Sequence, residues 1–381
     1  DSVAGDDLYL SIDADLQKAT YLALQNEIAA IVYSNIKSGE IPINDVYTAL
    51  IGNSVINTEH FSKAKASDTE KNVLSVFKSR QKTTLGKIKQ ELTSSPEALN
   101  TMSDEVLDEF NYIISMLKDD QVLLKNEIDT SDSVYQKWKN QKISPKEYLS
   151  YCITQHWIDI SQLNVDEKYA DSTEVYDALC KYILKNIKTD TEFSKIIYQY
   201  MITRGEISPR QLCLILFDQG VLDYDDATVN KLKNGSLSPR DFLMKKIYNI
   251  EITPAQLALE PCIGSCVVTD EKTGEIRAMV SYPGYDSNKL ANGVDSEYFA
   301  SLQHDKSSPL LNYATQQKTA PGSTFKLVSA TAGLAENVIT TSDQFRCTGI
   351  YNDISNKPKC WIYPGSHGLD NVFEAIRDSC N

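Results

Sequence analysis

Between residues 37 and 255 apolar positions return at helical spacing almost without a break, while the stretches on either side shorten into strand and turn chemistry. Residues 7–36 predict a short strand followed by a helix. Asp13 caps that helix, and its apolar positions run through Leu16, Leu22, Leu24, Ile28 and Ile31. From about residue 256, Cys266-Val-Val-Thr-Asp270 followed by Glu275-Ile-Arg-Ala-Met-Val280 predicts a hairpin, with Lys272-Thr-Gly274 near its turn.

The helical stretch carries a repeated punctuation. Ile143-Ser-Pro-Lys-Glu147, Ile207-Ser-Pro-Arg-Gln211, Leu237-Ser-Pro-Arg-Asp241 and Ile252-Thr-Pro-Ala-Gln256 follow one plan. Ser or Thr caps a helix, Pro fills its first turn without wasting a donor, and Glu or Gln three residues after the cap can close a capping box. Asp241 is shorter and closes less well. The spacing between the four is irregular, so they share helix-start chemistry without forming a solenoid repeat.

Candidate chemistry concentrates near the end of the chain. Ala320-Pro-Gly-Ser-Thr-Phe-Lys326 places Ser323 three residues before Lys326, and the sole Ser-x-Asn of the sequence, Ser379-Cys-Asn381, follows. On a helix that spacing brings the two side chains to one face, with about 5–6 Å between Cβ atoms. An amine there can take the hydroxyl proton as the serine attacks a carbonyl. The spacing alone is common: Ser34/Lys37, Ser62/Lys65, Ser75/Lys78, Ser79/Lys82 and Ser115/Lys118 share it. The sixth pair differs in context. Pro321-Gly322 signals a turn before the serine, and Phe325, Leu327, Val328, Ala330, Ala332 and Leu334 predict a buried helix after it. Backbone N–H groups at such a helix start suit a developing oxyanion.

With these residues assembled, Asn312-Tyr-Ala-Thr-Gln-Gln-Lys-Thr-Ala-Pro-Gly-Ser-Thr-Phe-Lys326 resembles the nucleophile segment of class B penicillin-binding proteins, the D,D-transpeptidases of peptidoglycan synthesis. Asp7-Leu-Tyr-Leu-Ser-Ile-Asp-Ala-Asp-Leu-Gln17 resembles the opening of their transpeptidase domain. Asp270–Ser281 with Pro283, Tyr285 and Asn288 resembles their first hairpin, and His367–Asn381 the helix and loop of their second motif. The penicillin-binding protein 2-like group fits best, although Tyr313 stands where an arginine is usual.

The resemblance implies an α+β fold of the penicillin-binding protein/serine β-lactamase kind, an antiparallel sheet with helices, divided as 1–36, an inserted helical domain 37–255, and 256–381. It implies Ser323 as nucleophile, Lys326 as general base, Ser379 as proton relay and Asn381 as a substrate-amide partner. Expected partners are peptidoglycan stem peptides, β-lactams as inhibitors and cell-wall elongation proteins. The expected location is the outer face of the cytoplasmic membrane, through an N-terminal anchor outside this sequence. The family's third motif, a Lys-Thr-Gly after the Ser-x-Asn, is not in the sequence, which stops at Asn381; Lys272-Thr-Gly274 precedes the nucleophile and belongs to the hairpin segment. An incomplete domain that acylates slowly or not at all is therefore expected. Alternatives are a β-lactam sensor or serine β-lactamase, and a non-catalytic scaffold whose working part is the helical insertion.

Composition narrows the field further. The 381 residues suggest two or three domains with ample core. No run approaches the roughly 18–20 apolar residues of a membrane helix. The net charge of −14, with no basic stripe, argues against nucleic acid. Of the 8 cysteines, Cys347 and Cys360 flank a Gly/Asn/Pro segment and are a candidate disulfide, with pairing left open. Cys262-Ile-Gly-Ser-Cys266 has loose ligand spacing, but the 4 histidines are scattered at 60, 156, 304 and 367. Buried free thiols are expected, with no tetrahedral metal set and no cofactor. Cys380 is expected to be packed and unreactive.

Overall fold

The computed structural model describes residues 5, 8–94, 96–165, 170–291 and 293–381. It is mixed α and β as expected, mostly helical with two small antiparallel sheets, and it divides into a compact unit ending at Thr315 and a second, Gln316–Asn381.

In the first unit, α1 (Ala14–Ser38) starts at Asp13, whose carboxylate accepts from the Leu16 N–H, and stops at Gly39, which takes a left-handed φ of 89°. The expected strand before it does not form among residues 8–13, and Asp7 lies outside the described residues. Leu8, Tyr9 and Leu10 are exposed. Among the described residues isolated bonds tie this segment down: Ser11 Oγ donates to the Ile276 carbonyl at 2.7 Å and the Asp13 N–H to that of Arg277 at 2.9 Å. The buried face of α1 is Ile28, Ala29, Val32 and Ile36; Leu16, Leu22 and Ile31 stay substantially exposed. Its first half meets the hairpin through Gln17 and through Tyr21, whose ring centroid lies 5.7 Å from that of Tyr282.

Eleven more helices follow: α2 (Ile43–Gly52), α3 (Asp68–Thr93), α4 (Asp104–Asp119), α5 (Ser133–Lys139), α6 (Pro145–Thr154), α7 (Ser172–Ile187), α8 (Thr191–Thr203), α9 (Pro209–Asp218), α10 (Asp226–Asn234), α11 (Pro239–Tyr248) and α12 (Pro254–Leu257). The four punctuation motifs start α6, α9, α11 and α12, each with its Ser or Thr oxygen accepting the N–H three residues on. Capping boxes close at Ser208/Gln211 and Thr253/Gln256. At Ser238 the shorter Asp241 carboxylate reaches only the serine hydroxyl, 3.0 Å away.

One apolar core runs from Val32 to Leu257 through these helices. Phe77 stacks on Tyr198 at 4.2 Å between centroids, with Phe61 edge-on to the same ring. Polar groups are buried with it. Glu105 accepts from Arg80 at 2.9 Å and from Arg204 at 2.6 Å, whereas its neighbour Glu109 is 1% exposed and its Oε1 has no hydrogen-bond partner among the described residues.

Strands β1 (Gly264–Thr269) and β2 (Ile276–Tyr282) form the expected hairpin, and Asp270 accepts from the Lys272 and Thr273 N–H groups at its turn. Ala278, Val280 and Tyr282 alternate into the interior. Helix α1 lies along β2: Gln17 donates to the Met279 carbonyl and accepts from the Met279 N–H, both at 2.7 Å. A Cβ on Gly264 would lie 3.0 Å from Ile28 Cδ1, so a glycine lets α1 approach β1 closely. After α13 (Ser296–His304) comes α14 (Tyr313–Gln316), whose buried Tyr313 donates its hydroxyl to the Ser307 carbonyl at 2.7 Å.

The second unit holds α15 (Phe325–Ala335), β3 (Phe345–Cys347), β4 (Gly368–Asp370) and α16 (Val372–Arg377), with β3 and β4 antiparallel. The helix expected after Ser323 forms, but its expected burial does not: no residue of α15 is buried, and Phe325, Leu327 and Val328 are more than half exposed. Two three-residue strands and one short helix give it little apolar surface to bury against within the unit. No helix among the described residues is long and apolar enough to cross a membrane.

Candidate active site

Gly322, at φ 59°, turns the chain into a single 3₁₀ turn, Gly322–Thr324, that runs directly into α15. Ser323 sits on this turn, exposed, and Lys326 follows half-buried in the first turn of the helix. Four of the five other Ser-x-x-Lys pairs lie on α1, α3 and α4 in the other unit.

The second motif is set by how α16 begins and ends. Asn371 caps it, accepting from the Phe373 and Glu374 N–H groups, while Glu374 reaches back to the Asn371 N–H at 2.9 Å. At the other end the Cys380 N–H bonds the Ala375 carbonyl at 2.8 Å, and the Ser379 N–H that of Ile376 at 3.2 Å. This is a Schellman closure, and its left-handed position is filled by Ser379 at φ 52°, where glycine is the usual occupant. The strained backbone turns the Ser379 and Asn381 side chains toward Lys326.

The four sequence-predicted residues come together there. Ser323 Oγ and Ser379 Oγ are 3.1 Å apart. Lys326 Nζ donates to Ser379 Oγ at 3.0 Å, to the Ser379 carbonyl at 2.7 Å and to Asn381 Oδ1 at 2.7 Å. Asn381 Nδ2 donates to the Lys359 carbonyl at 3.3 Å, which fixes its amide plane. Two hydroxyls and one amine thus form a continuous proton path, with Ser379 between Ser323 and Lys326.

A second group beside this path corrects the expectation that no tetrahedral ligand set exists. Cys347, Cys360, His367 and Cys380 bring their ligand atoms within 4.8 Å of one another. His367 Nδ1 is 3.7 Å from Cys347 Sγ and 3.5 Å from Cys360 Sγ. Tetrahedral bonds of about 2.0–2.3 Å put ligand atoms about 3.3–3.8 Å apart, so the set fits a zinc ion with four protein ligands. The pairing of β3 with β4 sets Cys347 opposite Gly368, next to His367. The Cys360 N–H bonds the Gly349 carbonyl at 2.9 Å. Gly349 has a φ of 79°, and a Cβ there would meet the Gly365 carbonyl oxygen at 2.2 Å, so only glycine permits this return of the loop.

All eight cysteines are free, Cys347 and Cys360 included. The His367 N–H draws the Cys347 thiol down to about 6 against desolvation, and the hydrogen bond to Cys347 raises His367 in turn. Burial, with Cys347 beside it, pushes Cys380 up to about 12. Cys380 is therefore not simply packed: it ties the catalytic-type turn into the ligand cluster. The ligand spacing across four separate positions hid this set. Its sequence signals were the Cys347/Cys360 pair flanking a loop and the adjacency of Cys380 to Ser379 and Asn381.

Comparison with known proteins bears on residues 264–381, which match the penicillin-binding protein transpeptidase domain. Peptidoglycan D,D-transpeptidase MrdA of Escherichia coli K12 is 35% identical over 126 residues, covering 30% of this chain and 18% of that protein. The Haemophilus influenzae MrdA is 39% identical over 127 residues, covering 30% and 18%. A solved penicillin-binding protein 2 from Helicobacter pylori matches at 28% identity and a TM-score of 0.30, covering 33% of this chain and 24% of that one. The chain spans about a fifth of the length of the curated relatives it matches. Over residues 264–381 the chain thus resembles a penicillin-binding protein transpeptidase domain, and the curated relatives it is similar to there are peptidoglycan D,D-transpeptidases of the MrdA type.

Proposed function

We propose that this chain forms part of a peptidoglycan D,D-transpeptidase that works through an acyl group on Ser323. The observation that carries the reading is the link Ser323–Ser379–Lys326, closed by Asn381, inside a segment of transpeptidase-domain sequence. In the proposed reaction Ser323 Oγ attacks the carbonyl of the penultimate D-Ala of a stem peptide. Its proton passes toward Lys326, the terminal D-Ala leaves with a proton returned through Ser379, and an ester remains on Ser323. The amine of a second stem peptide attacks that ester, forming the cross-link and freeing the serine. Asn381, its amide plane already fixed, hydrogen-bonds the substrate amide.

A β-lactam acylates the same serine. The setting is the outer face of the cytoplasmic membrane among cell-wall elongation proteins, and residues 37–255 are an insertion in the transpeptidase domain. Support for the insertion comes from Gln17 and Met279, which pair across it.

The test is intact mass after incubation with excess penicillin. One slowly formed adduct on the wild-type chain and none on Ser323→Ala is the expected result; an adduct on both would remove Ser323 from the role, and rapid stoichiometric labelling of the wild type would show that a Lys-Thr-Gly strand is dispensable for acylation. Sustained turnover of a chromogenic β-lactam would instead favour the β-lactamase alternative.

A further inference from the structure

Helix α1 turns Val32 and Ile36 into the apolar core and carries Tyr33 and Lys37 one position beyond each of them. Helix α11 runs antiparallel beside this edge. Arg240, in its first turn, donates to the Ile36 carbonyl at 3.2 Å, while Tyr248, at its end, sets its ring 5.1 Å from that of Tyr33. Asp241, Met244, Lys245 and Tyr248 recur at i, i+3, i+4 and i+7 and so share one stripe of α11. Between that stripe and α1 lies an open cleft of about 570 Å³, lined wholly by residues of the first unit. Its size suits a small ligand or a few peptide residues.

The cleft has two unlike ends. At one, Tyr33 and Tyr248 meet at a tilt of 59°, with the buried Met244 in the lining and Tyr248 57% exposed. At the other stand Lys37 and Arg240, and Lys245 lies one turn before Tyr248. These three cations face a single lining carboxylate, Asp241, in a chain whose net charge is −14, so the sign of charge reverses locally. Asp241 does not neutralise them. It accepts from the Ser238 hydroxyl at 3.0 Å and comes no nearer Arg240 than 3.9 Å. Among the described residues no hydrogen bond or ion pair holds Lys37 or Lys245. Arg240 has a structural duty, since the Ile36 carbonyl is one of the unpaired acceptors at the end of α1. That duty accounts for neither lysine, nor for a tyrosine left open at the far end.

We propose that this cleft docks an acidic segment of a partner protein. An aromatic side chain of the segment seats against Tyr33 and Tyr248, and neighbouring carboxylates are held by Lys37, Lys245 and Arg240.

Charge and shape together select this occupant. A small inorganic anion would leave the tyrosine end unused, and an apolar peptide would leave the lysines unused. An anionic lipid surface presents phosphates over a broad plane, whereas the cations here are confined to one seam of an acidic chain that such a surface repels. A single acidic strand threading the seam meets the cations alone. Tyrosine and arginine are also the residue types that most often anchor protein interfaces. The transpeptidase reading does not enter this assignment.

The probe is a blocked tripeptide of phenylalanine followed by two glutamates, with a dye on a flexible tail, and fluorescence anisotropy follows its binding to the full chain. Saturable binding is expected, weakened as salt rises from about 50 to about 500 mM. Lys37→Glu/Lys245→Glu should weaken it by about tenfold or more and remove most of the salt dependence. Tyr248→Ala should weaken it several-fold, as should replacing the peptide's phenylalanine by alanine. Both lysines and Tyr248 are exposed, so the variants keep the fold, which circular dichroism melts verify. No saturable binding to the wild type overturns the proposal, and so does binding that neither variant changes. Wild-type chain that sediments with phosphatidylglycerol vesicles through the same two lysines while ignoring the peptide assigns the cleft to a lipid surface and likewise overturns it.

Discussion

Lys326 gives two of its three hydrogen bonds to a single residue, Ser379, one to the hydroxyl and one to the carbonyl of the same turn. The amine is thereby fixed on the middle member of the hydroxyl path, with Ser323 reached through Ser379. Ser379→Ala should then slow β-lactam acylation by about 10²–10⁴-fold, comparable to Lys326→Ala, since each removes a proton-transfer step. Rates of adduct formation by mass spectrometry check this. A Ser379→Ala chain that acylates at the wild-type rate would place Lys326 in direct contact with Ser323 during reaction.

Ser379 also carries a backbone penalty. A left-handed φ of 52° costs an L-residue roughly 1–2 kcal/mol that glycine avoids. Ser379→Gly and Ser379→Ala both lose the hydroxyl, but the glycine variant should be more stable by about 1 kcal/mol, measured by urea unfolding of each. Equal stabilities would mean that the turn relaxes without the serine.

Glu109 makes stability pH-dependent. Burial, with Glu105 close by, raises its carboxyl from 4.5 to about 8, while Lys87, Arg80 and the Thr84 hydroxyl pull the other way. The folded chain therefore binds a proton that the unfolded chain gives up between these two values. Its stabilising contribution is complete below pH 4.5 and is lost as pH rises toward 8, on the order of a few kcal/mol. Glu109→Gln, neutral throughout, should flatten that decline when unfolding midpoints are compared across the range. An unchanged slope in the glutamine variant would assign the decline to other groups.

Gln17→Ala removes both bonds to Met279 and leaves a partly buried N–H and carbonyl of β2 without them. The expected loss is about 2 kcal/mol in chemical denaturation. Gln17→Glu keeps the acceptor and should lose less. If alanine proves neutral, water replaces the side chain and the α1–β2 seam is held by its apolar contacts alone.

The helix starts were legible because Ser144, Ser208, Ser238 and Thr253 act through bonds spanning three residues, which sequence displays directly. Ser323 and Lys326 were legible for the same reason, and Ser379 and Asn381 through the rarity of their motif. The ligand cluster was not. Its members are far apart in sequence and meet only after β3 pairs with β4 and the Gly349 loop returns, which are long-range events without a local signature. Burial of α15 was misread from composition, since apolar residues state a tendency and not the presence of a partner surface. The strand expectation before α1 failed similarly: Leu8, Tyr9 and Leu10 favour extended chain, but no strand among the described residues pairs with them.

The Gln17–Met279 pairing also orders events in time. The two residues are 262 positions apart, so at typical synthesis rates α1 emerges on the order of 10–50 s before the strand that receives it. During that interval the helices from α2 to α12 appear in succession and can collect their core around Val32 and Ile36, which already belong to it. The residues of that core, Val32 to Leu257, are thus all synthesised before β1 or β2 exists. The hairpin can dock only after α1 has emerged, onto a helix whose far half belongs to that core.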